Sequence, residues 1–364
     1  MSNGSFQLPA PVNEPIYSYA PGTPARETLI ATYNDLYNQV KDIPQFIGGQ
    51  EVRTHDLRDC RPPHDHQHVI GHYHYGKAEH AQAAVDAALG AHAAWSSMPW
   101  NERAAIFLRA ADLVSGPYRA TINAATMLAQ SKTAFQAEID AACEFADFLR
   151  FNAHFMEKIY AEQPISSPGI WNRMEYRALE GFVVAITPFN FTAIAGNLPA
   201  SAALMGNVVV WKPADSQVYS AWVVMEIFRK AGLPDGVINL VYMDGPEFGD
   251  IVFKHPDFQV VAPPVIIISS NTQRTSPFLT AHIPDIGSML KSTPSSKGRT
   301  ARSWTFLSTL SSEKLMATRP ERFSKLASNS WRNVRASSCA RAASISEAGT
   351  LSPSMVVNCQ RCQS

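Results

Sequence analysis

Three apolar runs, each followed by a helical pattern, constrain the fold of this chain more than any other feature. The runs are GFVVAIT, NVVVWKP and GVINLVY, at residues 181–187, 207–213 and 236–242. Continuous apolar runs are typical of parallel strands that helices cover on both faces. The alternation therefore predicts an α/β fold with a doubly wound parallel sheet. That sheet is expected to be incomplete, because a full nucleotide-binding fold has roughly six strands.

The region before the sheet has a different pattern. Residues 1–45 predict an N-terminal arm with one helix, RETLIATYNDLYNQVKDI, and residues 46–180 predict a hairpin and helical part. Alternating apolar and polar residues at 46–76 indicate the hairpins. Helical spacing predicts three helices, at 77–95, 101–114 and 135–160. The third is predicted to bury one face, formed by Ile139, Cys143, Phe148, Phe151 and Phe155.

The composition changes near residue 260, although the net charge of the 364 residues is zero. Residues 1–260 hold 27 acidic against 18 basic side chains, whereas residues 261–364 hold 4 against 13, and serine rises from 12 to 21. The change predicts a partial dinucleotide-binding domain at 181–258 and a Ser/Arg-rich, disordered tail at 259–364. No RNA-binding signature accompanies the basic residues, so nucleic acid is not an expected partner.

Other classes of protein are disfavoured by the sequence. The sequence has no run of about 18 apolar residues, so no membrane span is predicted. The beginning, MSNGSFQLPAPVNEP, has neither a signal-peptide nor a transit-peptide pattern. Five irregularly spaced cysteines do not indicate a disulfide framework. A soluble intracellular protein is the plain expectation.

One stretch carries chemical information: AITPFNFTAIAGNLPASAALMGNVVVWKPADS, residues 185–216. Together with AGLPDGVINLV, QAEIDAACEFADFLRFNA and QPISSPG, it resembles the aldehyde dehydrogenase superfamily. The resemblance is closest to the L-glutamate γ-semialdehyde (Δ1-pyrroline-5-carboxylate) dehydrogenases and covers about residues 12–258. It implies an aldehyde-dehydrogenase-like fold, NAD as cofactor, a small aldehyde as substrate, and a homo-oligomer for the full-length form.

The resemblance implies roles for four residues. Asn190 would donate its side-chain amide to the oxyanion that forms when a cysteine thiolate attacks the aldehyde. Lys212 would hydrogen-bond the adenosine ribose of NAD, Thr187 would contact the dinucleotide, and Phe191 would line the aldehyde channel. Without the resemblance, Asn190 could equally be a turn residue or a helix N-cap, and Lys212 a solvated lysine. Asp215 or Ser216 is expected to cap the helix that follows.

The motifs that complete the site in this family do not occur in the 364 residues. They are Phe-Thr-Gly-Ser at the cofactor phosphates, Glu-x-Gly-Gly with the general base, Gly-Gln-x-Cys with the nucleophile, and Glu-Ile-Phe-Gly-Pro at the nicotinamide ribose. No remaining cysteine is expected to replace the nucleophile. Cys143 is predicted to be inert in the core, Cys60 to lie in a surface loop, and Cys339, Cys359 and Cys362 to lie in the tail. The Cys-x-x-Cys spacing of the last two is a weak indication of zinc.

Six histidines crowd one short segment: His64, His66, His68, His72, His74 and His80. Alternation in a strand would place the first three on one face, where a divalent metal could bind. Exposed strand residues are the preferred interpretation, and no metal site is predicted.

Two hypotheses about function follow. By resemblance, the activity is NAD-dependent oxidation of L-glutamate γ-semialdehyde to L-glutamate in proline degradation, although this chain itself is expected to be inactive. A frameshift, a retained intron or a gene-model error would account for such a chain, whose shortened sheet is expected to expose an unpaired strand edge. The alternative is a non-catalytic isoform that binds full-length subunits or other partners. The expected location is the mitochondrial matrix in a eukaryote and the cytoplasm in a bacterium.

Overall fold

A six-stranded sheet forms the centre of the protein in a computed structural model, which describes residues 6–262. In spatial order its strands are β3 (Gln50–Val52), β2 (Gln45–Ile47), β8 (Ile238–Leu240), β7 (Val208–Pro213), β6 (Phe182–Thr187) and β9 (Phe258–Ala262). The last four are parallel, and β2 pairs antiparallel with both β8 and β3. The predicted fold class is therefore confirmed. The sheet continues into β9 across the predicted boundary at residue 258, and the tail, with its three cysteines, otherwise lies outside the described residues.

Three helices connect the parallel strands: α7 (Thr192–Leu204), α8 (Val218–Lys230) and α9 (Gly245–Val252). The side chain of Asp244 caps α9 by accepting a hydrogen bond from the Glu247 N–H at 3.1 Å. The predicted cap of α8 is wrong. Residues 215–217 form a 3₁₀ turn, and no side chain caps α8, because the Asp215 carboxylate lies near Lys212 instead.

The N-terminal region contributes one helix and two small β structures. Helix α1 (Pro24–Asn38) is shorter than predicted, because its last predicted residues form β1 (Lys41–Ile43). Strand β1 pairs with β5 (Gly71–His74), which pairs antiparallel with β4 (Leu57–Cys60). The β2–β3 hairpin turns at Gly48 and Gly49, both of which have positive φ, as a tight two-residue turn requires. The hairpins predicted for this region are confirmed.

The helical part contains α2 (Ala78–Ser97), α3 (Trp100–Ser115), α4 (Arg119–Gln130), α5 (Ala134–Ala137) and α6 (Phe145–Ala161), with a π-helical segment over Glu138–Glu144. Helix α4 was not predicted. The predicted buried face of 135–160 is wrong apart from Cys143: Ile139 is 40% exposed, and the three phenylalanines are only partly buried. The wider π turn moves a different set of residues inward. The buried face of α6 holds Phe145, Leu149, Ala153 and Met156. Among residues 6–262, no helix has the length and apolar character that crossing a membrane requires.

Candidate active site

The candidate site lies where β6 and β7 end, at the same edge of the sheet. Ile186 and Lys212 are paired in register, and Thr187 is the last residue of β6. Residues 188–191 then form the turn that leads into α7. In doubly wound sheets, ligands bind outside the carboxyl ends of the strands. The four predicted site residues thus belong to one edge of the fold.

Asn190 occupies the exposed part of this turn. Within residues 6–262 its side-chain amide has no hydrogen-bond partner, and it does not cap α7, whose N-cap position is Phe191. The N-cap interpretation of Asn190 is therefore wrong. An amide that donates to nothing in the fold is available to a ligand at the end of β6.

The cap of α7 comes instead from Asp140, a buried residue of the π-helical segment. Its two carboxylate oxygens accept hydrogen bonds from the backbone N–H groups of Thr192 at 3.0 Å and Ala193 at 3.1 Å. The Lys132 ammonium donates to the same carboxylate at 2.6 Å. Sequence reasoning missed this cap, because no local pattern links an aspartate to a helix that starts 52 residues later.

Phe191 is 39% exposed and lies between two polar neighbours. The Lys132 ammonium is 4.4 Å from the centroid of its ring, a cation–π distance. Its backbone carbonyl accepts a hydrogen bond from Gln217 Nε2 at 2.9 Å. The side chain of Phe191, which follows Asn190 in the chain, therefore remains partly accessible, and a role in lining a substrate channel remains a prediction.

The Thr187 side chain is buried at the end of β6, with 3% exposure. Its hydroxyl oxygen accepts a hydrogen bond from Trp211 Nε1 at 2.9 Å. Its carbonyl accepts the Ala214 N–H at 3.1 Å. The side chain thus has a structural partner, and a contact with a dinucleotide remains a prediction for this residue.

Lys212 is a buried cation near the end of β7, with 9% exposure. Its ammonium donates to the Pro213 carbonyl at 3.2 Å and lies 3.6 Å from Asp215 Oδ1. Burial lowers the pKa of Lys212, and the neighbouring carboxylate of Asp215 opposes that shift. The interpretation of Lys212 as an ordinary solvated lysine is wrong. A buried ammonium with donor capacity at this edge suits a ribose hydroxyl.

The π-helical segment also carries Glu144, a carboxyl group whose pKa is raised. Burial raises the pKa of Glu144 to about 7, and the nearby Asp140 carboxylate adds to the shift. No hydrogen-bond donor among the described residues reaches its side chain. The Glu144 carboxyl thus has a pKa near neutral pH and lies four residues after the aspartate that caps α7.

The two described cysteines are both buried. Cys60 was predicted in a surface loop, which is wrong: it ends β4 with its side chain packed inward, and burial raises its pKa to about 12. Cys143 lies in the core as predicted, with its sulfur 3.4 Å from an Arg119 nitrogen, and burial raises its pKa to about 12 as well. Neither thiol supplies a thiolate at neutral pH.

The histidine segment is not a single strand face. His64, His66 and His68 lie in the loop between β4 and β5, because Pro62 and Pro63 interrupt the strand pattern. His74, which was expected to be exposed, is buried and contacts Asp42 at 2.8 Å. Within the described part of the chain, no group of three potential ligands is arranged to hold a metal ion.

Comparison with known proteins places this geometry in a family. A sequence model described as the aldehyde dehydrogenase family matches residues 51–263. Delta-1-pyrroline-5-carboxylate dehydrogenase of Agaricus bisporus is 50% identical over 257 residues, which is 70% of this chain and 47% of that protein. The mitochondrial enzyme of that name from Mus musculus is 48% identical over 240 residues, covering 66% and 43%. The crystal structure of the Delta-pyrroline-5-carboxylate dehydrogenase from Mycobacterium tuberculosis bound with NAD has 48% identity and a TM-score of 0.71, covering 72% of this chain and 49% of that one.

The chain belongs to the aldehyde dehydrogenase family. Within that family its similarity is to the delta-1-pyrroline-5-carboxylate dehydrogenases, as the sequence predicted. The chain spans about half the length of the curated relatives that it matches.

Proposed function

We propose that this chain carries the oxyanion donor and the cofactor-binding side of an NAD-dependent L-glutamate γ-semialdehyde dehydrogenase. The observation that carries the proposal is the Asn190 amide, which is exposed and has no partner among residues 6–262, at the end of β6 and beside the strand that holds Lys212. The relatives named delta-1-pyrroline-5-carboxylate dehydrogenase, one of them crystallised with NAD, support it. The substrate, the cofactor and the location are carried over from them as proposals.

In this proposal, each residue of the site has a separate task. Asn190 donates a neutral N–H to the oxygen of the aldehyde as negative charge develops on it, a contribution worth about 3–4 kcal/mol in comparable sites. The Lys212 ammonium donates to the ribose hydroxyls of the cofactor, and Phe191 keeps water from one side of the aldehyde. NAD, when bound, would accept the hydride. Thr187 contributes chiefly by fixing Trp211 at the end of β6 and β7.

We infer that the chain alone does not complete this reaction. The 364 residues contain no Glu-x-Gly-Gly and no Gly-Gln-x-Cys motif, and the buried Cys60 and Cys143 have strongly raised pKa values. Among the described residues, no thiolate is therefore available to form the thiohemiacetal.

Calorimetric titration with NAD tests the cofactor part of the proposal. The full chain is expected to bind NAD, and Lys212→Met to weaken binding about tenfold, the effect of one lost hydrogen bond to a charged donor. Lys254→Met is the matched control, because Lys254 is 74% exposed and distant in sequence from this edge. Equal affinities for the Lys212→Met and Lys254→Met variants would contradict the role of Lys212. Formation of NADH from the semialdehyde would contradict the inferred inactivity of the chain. Loss of that NADH formation in Asn190→Ala would support the role of Asn190.

A second candidate function is binding to another aldehyde dehydrogenase subunit without catalysis. The segment 162–175, between α6 and β6, is exposed along its whole length and carries four large apolar side chains. They are Ile165, Ile170, Trp171 and Met174, with exposures of 91%, 60%, 79% and 46%. Large apolar side chains exposed together in one short segment favour association with a protein partner.

A further inference from the structure

We propose that Asp140, assisted by Lys132, is a positioning residue that fixes the Asn190 turn. The inference rests on the proposed role of Asn190 and adds how this exposed residue is held at the end of β6. Asp140 contacts the start of α7, and Lys132 contacts Asp140 and the Phe191 ring. Both act on the residues that directly follow Asn190.

The start of α7 lacks a cap of its own. Its N-cap position is Phe191, which has no side-chain acceptor, and the turn sequence PFNF contributes no capping bond. The first N–H groups of an α-helix have no acceptor within the helix. At Thr192 and Ala193, both fully buried, an unsatisfied N–H would also be excluded from water. The Asp140 carboxylate accepts both.

The Asp140 carboxylate is itself held by a second residue that contacts the turn. Ser131 ends α4 in a left-handed conformation, with φ of 53°, and the chain then directs Lys132 toward α7. The Lys132 ammonium lies 2.6 Å from Asp140 Oδ2 and 4.4 Å from the centroid of the Phe191 ring. One cation thus links the carboxylate that caps the helix to the residue next to Asn190.

Helix α4 fixes the same point from a third direction. The hydroxyl of Thr192 lies 2.8 Å from the hydroxyl of Thr126 and accepts a hydrogen bond from Gln130 Nε2 at 2.7 Å. Residues 191–193 are therefore anchored by α4, by the loop after it and by the π-helical segment. Asn190, immediately before them, has no anchor of its own within residues 6–262, so its direction depends on theirs.

Hydrogen exchange of the full chain separates positioning from general stability. The Thr192 and Ala193 amides have no intrahelical acceptor, so a change in their protection relative to amides inside α2 and α3 reports the Asp140 bonds. In Asp140→Ala we expect both amides to exchange at least about tenfold faster, while amides inside α2 and α3 are unchanged, and the side-chain amide signal of Asn190 to shift or broaden in NMR spectra. The signal is assigned by its loss in Asn190→Ala. Asp112→Ala is the control, because Asp112 is 80% exposed.

Formate provides a second readout, which a merely structural defect would not give. It is expected to restore protection at Thr192 and Ala193 in Asp140→Ala in a saturable manner, and to have no effect on the wild type or on Asp112→Ala. If Asp140→Ala does not fold, the nearly isosteric Asp140→Asn and the cation-free Lys132→Met take its place, and each is expected to alter the Asn190 signal. An unchanged Asn190 signal in variants that have lost protection at 192–193 would overturn the positioning role. That result would leave the cofactor-binding part of the proposed function untouched, because that part is tested separately by the NAD affinity of Lys212→Met.

Discussion

Two carboxyl groups four residues apart on the π-helical segment have opposite environments. Asp140 has three donors, two from the start of α7 and one from Lys132, which together compensate for its burial. Glu144 has none among the described residues, so burial and the neighbouring Asp140 raise its pKa to about 7. Asp140 and Glu144 lie about one turn apart in the same helical segment. The difference between their environments therefore comes from the contacts that other elements make with them.

Glu144 gives the fold a pH dependence that can be measured. A carboxyl group whose pKa is raised from 4.5 to about 7 stabilises the fold fully below its unfolded pKa and loses that contribution as the pH rises through about 7. In Glu144→Gln this loss is absent, so the variant is expected to exceed the wild type in free energy of unfolding by about 1–3 kcal/mol at pH 8 and to match it near pH 5. Urea unfolding at both pH values measures the difference. Glu79→Gln, at a site 77% exposed, should show no such divergence, and a constant offset between Glu144→Gln and the wild type would contradict the assignment.

At the scale of elements, one buried acid holds Tyr17 and Tyr19 of the N-terminal arm, whose earlier residues bond to Glu157, Asp147 and Arg119. The Glu138 carboxylate accepts hydrogen bonds from the Tyr17 N–H at 2.8 Å, the Tyr19 hydroxyl at 2.7 Å and Asn123 Nδ2 at 2.8 Å. Burial alone would raise the pKa of Glu138, but the Arg119 guanidinium and these donors hold it below its ordinary value. The arm, α4 and the π-helical segment are thus joined through a single charged group.

Removal of that group is expected to release the arm. Glu138→Ala leaves the guanidinium of Arg119 buried with one acidic partner fewer, and breaking a buried ion pair costs about 3–5 kcal/mol. We expect a loss of that size in the free energy of unfolding, together with faster proteolytic cleavage within residues 6–20. Glu175→Ala is the control, since Glu175 is 72% exposed. A variant that loses stability but keeps the arm resistant to protease would contradict the role of Glu138 in holding the arm.

The same elements show what the sequence could and could not predict. The strands at 181–187 and 207–213 were predictable because a parallel strand carries its signal in consecutive apolar residues. The buried face of α6 was not, because the π turn shifts the register of every residue after it without a local sequence signal. The family motif identified Asn190 and Lys212, whereas Asp140 and Glu144 depend on contacts between segments that are remote in the chain.

At the scale of the whole molecule, segment 162–175 is a run of residues in the described part of the chain that are all exposed. It folds back on itself through side-chain bonds rather than a strand ladder: Met174 N–H donates to Gln163 Oε1 at 2.8 Å, and Asn172 Nδ2 to the Ile165 carbonyl at 2.8 Å. Its backbone groups and apolar side chains are therefore presented together to solvent. Its Arg173 and Glu175 form a 2.8 Å ion pair, so the segment carries little net charge to oppose a second copy.

Self-association through this segment is the prediction that tests the subunit-binding function. Sedimentation velocity of the full chain is expected to show concentration-dependent dimers or larger species. The double variant Ile165→Ser, Trp171→Ser is expected to be monomeric, because it removes two of the most exposed apolar side chains. Val40→Ser is the matched control, since Val40 is 56% exposed but lies outside the segment. A monomer at all concentrations, or association that the double variant leaves intact, would remove the support for a subunit-binding role. The proposed cofactor-binding role would then stand alone, because Lys212 and Asn190 lie at the sheet edge and do not depend on this segment.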